Sequence, residues 1–213
     1  MHRRWLRTLT ALLGAFATAA LAGCSKEPPT EPRIVSLSLV SGNGQSGFVG
    51  GLLTQPLVVR AADQDGVPVS GVQINWVVVT GGGVATPPEA ITDAEGLSAA
   101  TYRLGALLGQ QTVSASLPGG QPVTFVANAT AAPASQITIV SGDDQTGVVE
   151  STLPADLTVK VTDAFGNAKE GVTILFSVVL GNGIVSNATP ASDAQGTARV
   201  RWTLGILAGT QRA

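Results

Sequence analysis

Beyond residue 33 the hydrophobic positions recur with a period of two. Across Asp156–Thr162, Leu157, Val159 and Val161 fall on one side and Thr158 and Lys160 on the other. Val172, Ile174, Phe176 and Val178 alternate in the same way with Thr173, Leu175 and Ser177. Ala198, Val200, Trp202 and Leu204 oppose Arg199, Arg201 and Thr203. Such alternation predicts half-buried strands, because successive side chains of a strand point to opposite faces. Earlier in the chain it predicts strands at Val35–Val40, Leu57–Ala62, Val72–Val79, Leu97–Leu104, Thr112–Leu117 and Val123–Ala129. Gly and Pro punctuate these runs, and no amphipathic helical stretch interrupts them. Short strands with turns about every ten residues describe an all-β sandwich.

The strands belong to one unit written twice. A shift of 100 positions superimposes the chain on itself without a gap from Leu37 and Ile137 onward. Val40-Ser41-Gly42 returns as Val140-Ser141-Gly142, and Gln45, Gly47 and Val49 return as Gln145, Gly147 and Val149. Asp63, Gly66, Gly71, Val72 and Ile74 match Asp163, Gly166, Gly171, Val172 and Ile174. Asp93-Ala94, Gly96 and Leu104-Gly105 match Asp193-Ala194, Gly196 and Leu204-Gly205. Tandem modules follow, with expected spans 34–131 and 132–213 and a joint at Ala131–Ser135.

The run Ala62-Asp63-Gln64-Asp65-Gly66-Val67-Pro68-Val69-Ser70-Gly71-Val72-Gln73-Ile74-Asn75-Trp76, then Gly81-Gly82-Gly83 and Thr92-Asp93-Ala94-Glu95-Gly96, resembles the group 1 bacterial immunoglobulin-like repeat of the invasin/intimin family. The second copy carries Asp163-Ala164-Phe165-Gly166-Asn167, Gly171-Val172, Gly181-Asn182-Gly183 and Asp193-Ala194-Gln195-Gly196. The resemblance implies tandem immunoglobulin-like sandwiches used as rigid extracellular stalk modules. It implies no catalytic residues, and the family's adhesive tips and outer-membrane barrel have no counterpart in the chain.

Trp76 and Phe176 hold one register on the third strand, where an inward aromatic plugs the core of an immunoglobulin-like sandwich. Tyr102 and Trp202 sit on the apolar side of their strand and are expected to be core residues too. Position for position, Val113 corresponds to Ala213. The second sandwich is therefore expected to be incomplete at its C-terminus, leaving Val172–Val179 without neighbours on one side. That pattern fits a truncated copy of a longer protein, or a module awaiting a strand from a partner.

The segment before the repeats has another character. His2, Arg3, Arg4 and Arg7 precede an uncharged run, Thr8–Gly23, rich in Ala and Leu. The run is short for a spanning helix, which needs about 20 apolar residues, and it suits a signal peptide over residues 1–23. It ends in Leu21-Ala22-Gly23-Cys24, which resembles the bacterial lipoprotein box. That resemblance implies cleavage between Gly23 and Cys24 and a lipid on the Cys24 thiol. It places the protein in the cell envelope, and Ser25 after the lipidated residue implies the outer membrane where a cell has two. Residues 24–33, with Pro28, Pro29 and Pro32 among charged residues, read as an extended tether.

Composition narrows the chemistry. The chain has 12% charged and 4% aromatic residues, one Cys and one His. A single Cys excludes an internal disulfide. Loss of Arg3, Arg4 and Arg7 with the leader leaves nine basic and fourteen acidic residues, a formal net charge of -5. That balance excludes an electrostatic grip on nucleic acid and adhesion to anionic lipid by charge. With His2 removed and Cys24 lipidated, no base remains for Ser- or Cys-based hydrolysis and no set of zinc ligands. Asp63-Gln64-Asp65-Gly66 resembles the start of a calcium loop, yet Ile74 stands where the bidentate Glu belongs. Its counterpart, Asp163-Ala164-Phe165-Gly166, replaces the second Asp by Phe, which suits a turn shared by both copies and not a shared metal site. No cofactor is expected, and the chain is not expected to be an enzyme.

The sequence thus points to a non-enzymatic surface lipoprotein with stalk or interaction modules, anchored in a membrane by lipid and open to a protein or glycan ligand. The rival is a carbohydrate-binding module with Trp76, Tyr102 or Trp202 as a stacking platform. Burial separates the two, because a platform requires exposed rings.

Overall fold

The computed structural model describes residues 34–213. Gly23, Cys24 and the tether lie outside the described residues. Within them the chain is built of strands and turns, and no helix is long and apolar enough to cross a membrane.

The first module is a two-sheet sandwich. One sheet has the order β1 (Ile34–Ser41), β3 (Leu57–Asp63), β7 (Leu97–Arg103), β5 (Val84–Thr86), all antiparallel. The other runs β2 (Gln45–Phe48), β9 (Val123–Thr130), β8 (Gly109–Ser116), β4 (Gln73–Thr80), β6 (Glu89–Ile91). In it β2 lies parallel to β9 and the remaining pairs are antiparallel. The alternation that predicted strands becomes an inward row from each: Leu57, Val59 and Ala61 on β3, Ile74 and Trp76 on β4, Ala100 and Tyr102 on β7. Val113 and Ala115 of β8 and Phe125, Ala127 and Ala129 of β9 close the core from the second sheet. The strands β2, β5 and β6 were not predicted, because they are only three or four residues long and carry too few alternations to register.

The second module repeats the first sheet as β10 (Gln136–Ser141), β11 (Leu157–Thr162) and β13 (Thr197–Val200). A short pair, β12 (Ile184–Val185) with β14 (Trp202–Thr203), completes its strands among the described residues. Even irregularities recur: β1 shifts register between Leu39 and Ser41, and β10 between Ile139 and Ser141.

Two expectations need correction. Val172–Val179 is not a continuous strand. Thr173 bridges Ala191, Leu180 bridges Arg212, and Ile174 and Phe176 donate their N–H groups to Pro190 and Ala188. Their counterparts in β4 gain regular pairing from β8, and no strand lies on that side of residues 175–178 among the described residues. Of the last two strands of the first module only β8 pairs with β4, on the side away from β6, whereas β9 pairs with β8 and β2. The predicted strand Ala198–Leu204 is likewise split at Arg201, whose N–H donates to the Ser186 hydroxyl instead of a ladder carbonyl.

Candidate functional site

The aromatic residues come first, because exposed rings would make a glycan platform. Trp76, Tyr102 and Trp202 are all buried. The Trp76 ring leans on Phe125, with centroids 5.6 Å apart and a tilt of 40°. Neither Trp76 Nε1 nor Trp202 Nε1 has a hydrogen-bond partner, so both indoles contribute by packing alone. Phe176 departs from expectation: it is only half-buried, packed against the small cluster of Val161, Ile174 and Ala198. It lines a groove of about 890 Å³ together with Leu153, Leu157, Val159, Trp202 and Leu204. In the first module the corresponding surface around Leu57 and Tyr102 is filled by Val113, Phe125 and Ala127. No coplanar pair of exposed rings is formed by the four predicted aromatics, which removes the stacking platform from the rival reading.

The acidic turns resolve into backbone caps. Asp63 Oδ1 accepts from the N–H groups of Asp65 and Val67, both at 2.9 Å. Asp93 Oδ1 accepts from Glu95 at 3.1 Å and Leu97 at 2.7 Å. Asp163 and Asp193 do the same for Phe165 and Asn167, and for Gln195 and Thr197. A carboxylate oxygen holding two turn amides, two and four residues on, is engaged in structure, and Gly at the fourth position supplies the positive φ that the turn needs. Among the described residues, no three His, Cys, Asp or Glu side chains gather as metal ligands.

A buried glutamine and its half-buried copy went unnoticed in the sequence. Gln111 Oε1 accepts from the Tyr102 hydroxyl at 2.8 Å and the Gly105 N–H at 2.9 Å, while its Nε2 donates to the carbonyls of Leu107 and Gly105. Gln211 repeats the bonds to Gly205 and Leu207. Burial pushes the Tyr102 hydroxyl above the usual tyrosine range, and a bond with the Gly83 backbone only partly offsets this. Gln45 and Gln145 form a second repeated clamp, each bonding the segment ten residues downstream through both its Oε1 and its Nε2. Their signal was a polar residue returning at one register in both copies, inside or beside a strand.

One acidic turn does more than hold itself. Asp163 is fully buried at the joint between the modules. Its Oδ2 accepts from the N–H of Ala132 at 3.0 Å and from Asn167 Nδ2 at 3.1 Å. Burial by itself would raise this carboxyl. The bonds from the Asn167 side chain and from the backbones of Asn167, Phe165 and Ala132 outweigh it, and the group lies below the usual carboxylate range. Asn167 Nδ2 also donates to Ala106 O at 3.2 Å, and Lys169 Nζ to Ala131 O at 3.1 Å, both in the first module. The Phe165 ring lies over Gly50, where a Cβ would collide with it. Ala132, next to the predicted boundary, packs against the first core. The site that the structure assembles is therefore this joint, and not the aromatic rows.

No protein-family model matches the chain. Solved structures with a similar fold include the D0-D1 domain of intimin, 22% identical over 80% of this chain and 85% of that one, at a TM-score of 0.35. The Escherichia coli adhesin FdeC is 21% identical over 84% of this chain and 58% of its own, at 0.48. The bacterial integrin-binding protein invasin is 18% identical over 82% of this chain and 34% of its own, at 0.41. These are likenesses of fold at low identity. The tandem immunoglobulin-like sandwich rests on the chain's own sheet order, repeated turns and repeated glutamine clamps.

Proposed function

We propose that this protein is a non-enzymatic lipoprotein of the cell envelope, whose tandem sandwiches serve as a stalk or spacer that holds an interaction surface away from the membrane. The observation that carries the reading is the joint: the modules meet end to end through a buried carboxylate and three cross-module contacts, as a load-transmitting spacer requires. The chemistry available agrees with it. The first Asp of each repeated turn is engaged in a backbone cap, and Trp76, Tyr102 and Trp202 are buried. The anchor is assigned to Cys24 from the motif Leu21-Ala22-Gly23-Cys24. One acyl chain binds membranes marginally, so a stable anchor takes more than one, which the lipoprotein modification provides.

Membrane fractionation of the parent and of Cys24→Ser tests the anchor. The parent should pellet with membranes and accumulate as precursor under globomycin. The variant should become soluble with both sandwiches folded, since Cys24 precedes both. Retention of Cys24→Ser in membranes after a high-salt wash would sink the lipid-anchor reading.

A further inference from the structure

The two copies of the acidic turn match where the turn needs them to and differ where it faces a neighbour. Asp63 and Asp163, and Gly66 and Gly166, hold the same capped loop in both modules. At the intervening and following positions the first module has Asp65, Val67 and Val69, and the second has Phe165, Asn167 and Lys169. Each of these three second-module residues reaches the first module: Phe165 over Gly50, Asn167 to Ala106 O, Lys169 to Ala131 O.

The receiving surface differs between copies in the complementary sense. The counterpart of Gly50 is Glu150. Both residues have left-handed backbone, with φ of 68° and 58°. Left-handed φ disfavours side chains with a Cβ, so a non-glycine at the second copy means that the conformation alone does not demand Gly50. What demands it is the Phe165 ring, which occupies the volume of a Cβ there.

We propose that Phe165, Asn167 and Lys169 form a latch that docks the second sandwich onto a receptor at the end of the first, made by Gly50 and the carbonyls of Ala106 and Ala131. The latch fixes the angle between the modules, so that the pair behaves as one rigid body. It deepens the stalk reading without depending on the lipid anchor, because every residue in it lies within the two sandwiches. Its specificity is one-way: the far end of the second module carries Glu150 and Ile206 at the receptor positions, and a phenylalanine arriving there would meet a side chain.

The copies supply their own controls for the test. F165D/N167V/K169V gives the second turn the residues that the first turn already carries, and Asp163 and Gly166 are kept. Gly50→Glu gives the first module the residue that the second already carries at this register. Hydrogen exchange on the full chain reads the Ala132 amide, which is closed by Asp163 in the latched joint. Small-angle scattering reads the spread of inter-module distances. Both variants should speed exchange at the Ala132 amide by at least about tenfold, the signature of a local opening worth about 1.4 kcal/mol, and should broaden the scattering profile. The amides of β11 and β13 should keep parental protection. If the triple variant also loses β11 and β13, its turn has failed to fold and Gly50→Glu decides, since it leaves the second module's sequence intact. Parental exchange at Ala132 and a parental scattering profile in Gly50→Glu would overturn the latch.

Discussion

At the scale of single residues, Asp163 shows how one carboxylate can serve a turn and a joint at once. Oδ1 holds the turn and Oδ2 holds the joint. Asp163→Asn keeps an acceptor for the turn but sets an NH2 donor against the Ala132 N–H and the Asn167 amide. Leaving buried donors unpaired costs about 1–3 kcal/mol, and the loss should appear in chemical denaturation at neutral pH. The charged form is favoured in the folded state, so its contribution is complete above the unfolded carboxylate pKa and disappears as pH falls through the lower folded value. The unfolded reference is about 3.9. The stability gap between parent and Asp163→Asn should therefore persist at neutral and mildly acidic pH and close below about pH 4. The charged neighbour contributed by the same turn is Lys169, whose Nζ donates to the Ala131 carbonyl. A gap that widened on acidification would contradict the assignment.

At the scale of elements, the loops that close the sandwich ends are tighter than their composition suggests. A Cβ on Gly105 would collide with the Gly81 carbonyl, and one on Gly205 with the Gly181 carbonyl. Gly105→Ala should destabilise the first module by about 1–3 kcal/mol, the range for overpacking against structure that cannot yield, and denaturant unfolding will register it. The pair Leu104-Gly105 and its copy Leu204-Gly205 were visible in the sequence as a repeat. Their purpose was not, because close backbone approach is a property of two loops far apart in the chain. The same division holds for the strands. Long alternating runs such as Leu57–Asp63 were legible from period alone, whereas β2, β5 and β6 exist because neighbours supply their ladders. Val172–Val179 is the converse: its alternation is clear, and without a ladder on one side it does not become a strand. The joint left a fainter trace. Asp63 and Asp163 matched as turn residues, and the departure of Phe165 from Asp65 argued only against a metal, since nothing local says what a turn residue faces.

At the scale of the whole molecule, the two modules share a pattern but not a core. The first gathers fifteen buried residues into one cluster, in which the Trp76 and Phe125 rings touch. The second gathers three, Val161, Ile174 and Ala198, beside a groove lined by Phe176 and Trp202. Burial of apolar surface is the main favourable term in folding, so the module with the smaller core should open first. Heating or denaturing the full chain should expose the amides of β11 and β13 before those of β3 and β8. Trp76→Ala then separates the modules by mutation. Removal of a buried indole costs about 3–5 kcal/mol where the cavity cannot collapse. It should move the later transition down by that amount and leave the earlier one where it was, because Trp76 touches only the first core. Loss of protection in both modules together, in parent and variant alike, would mean that the joint couples them into a single folding unit and that core size does not set the order.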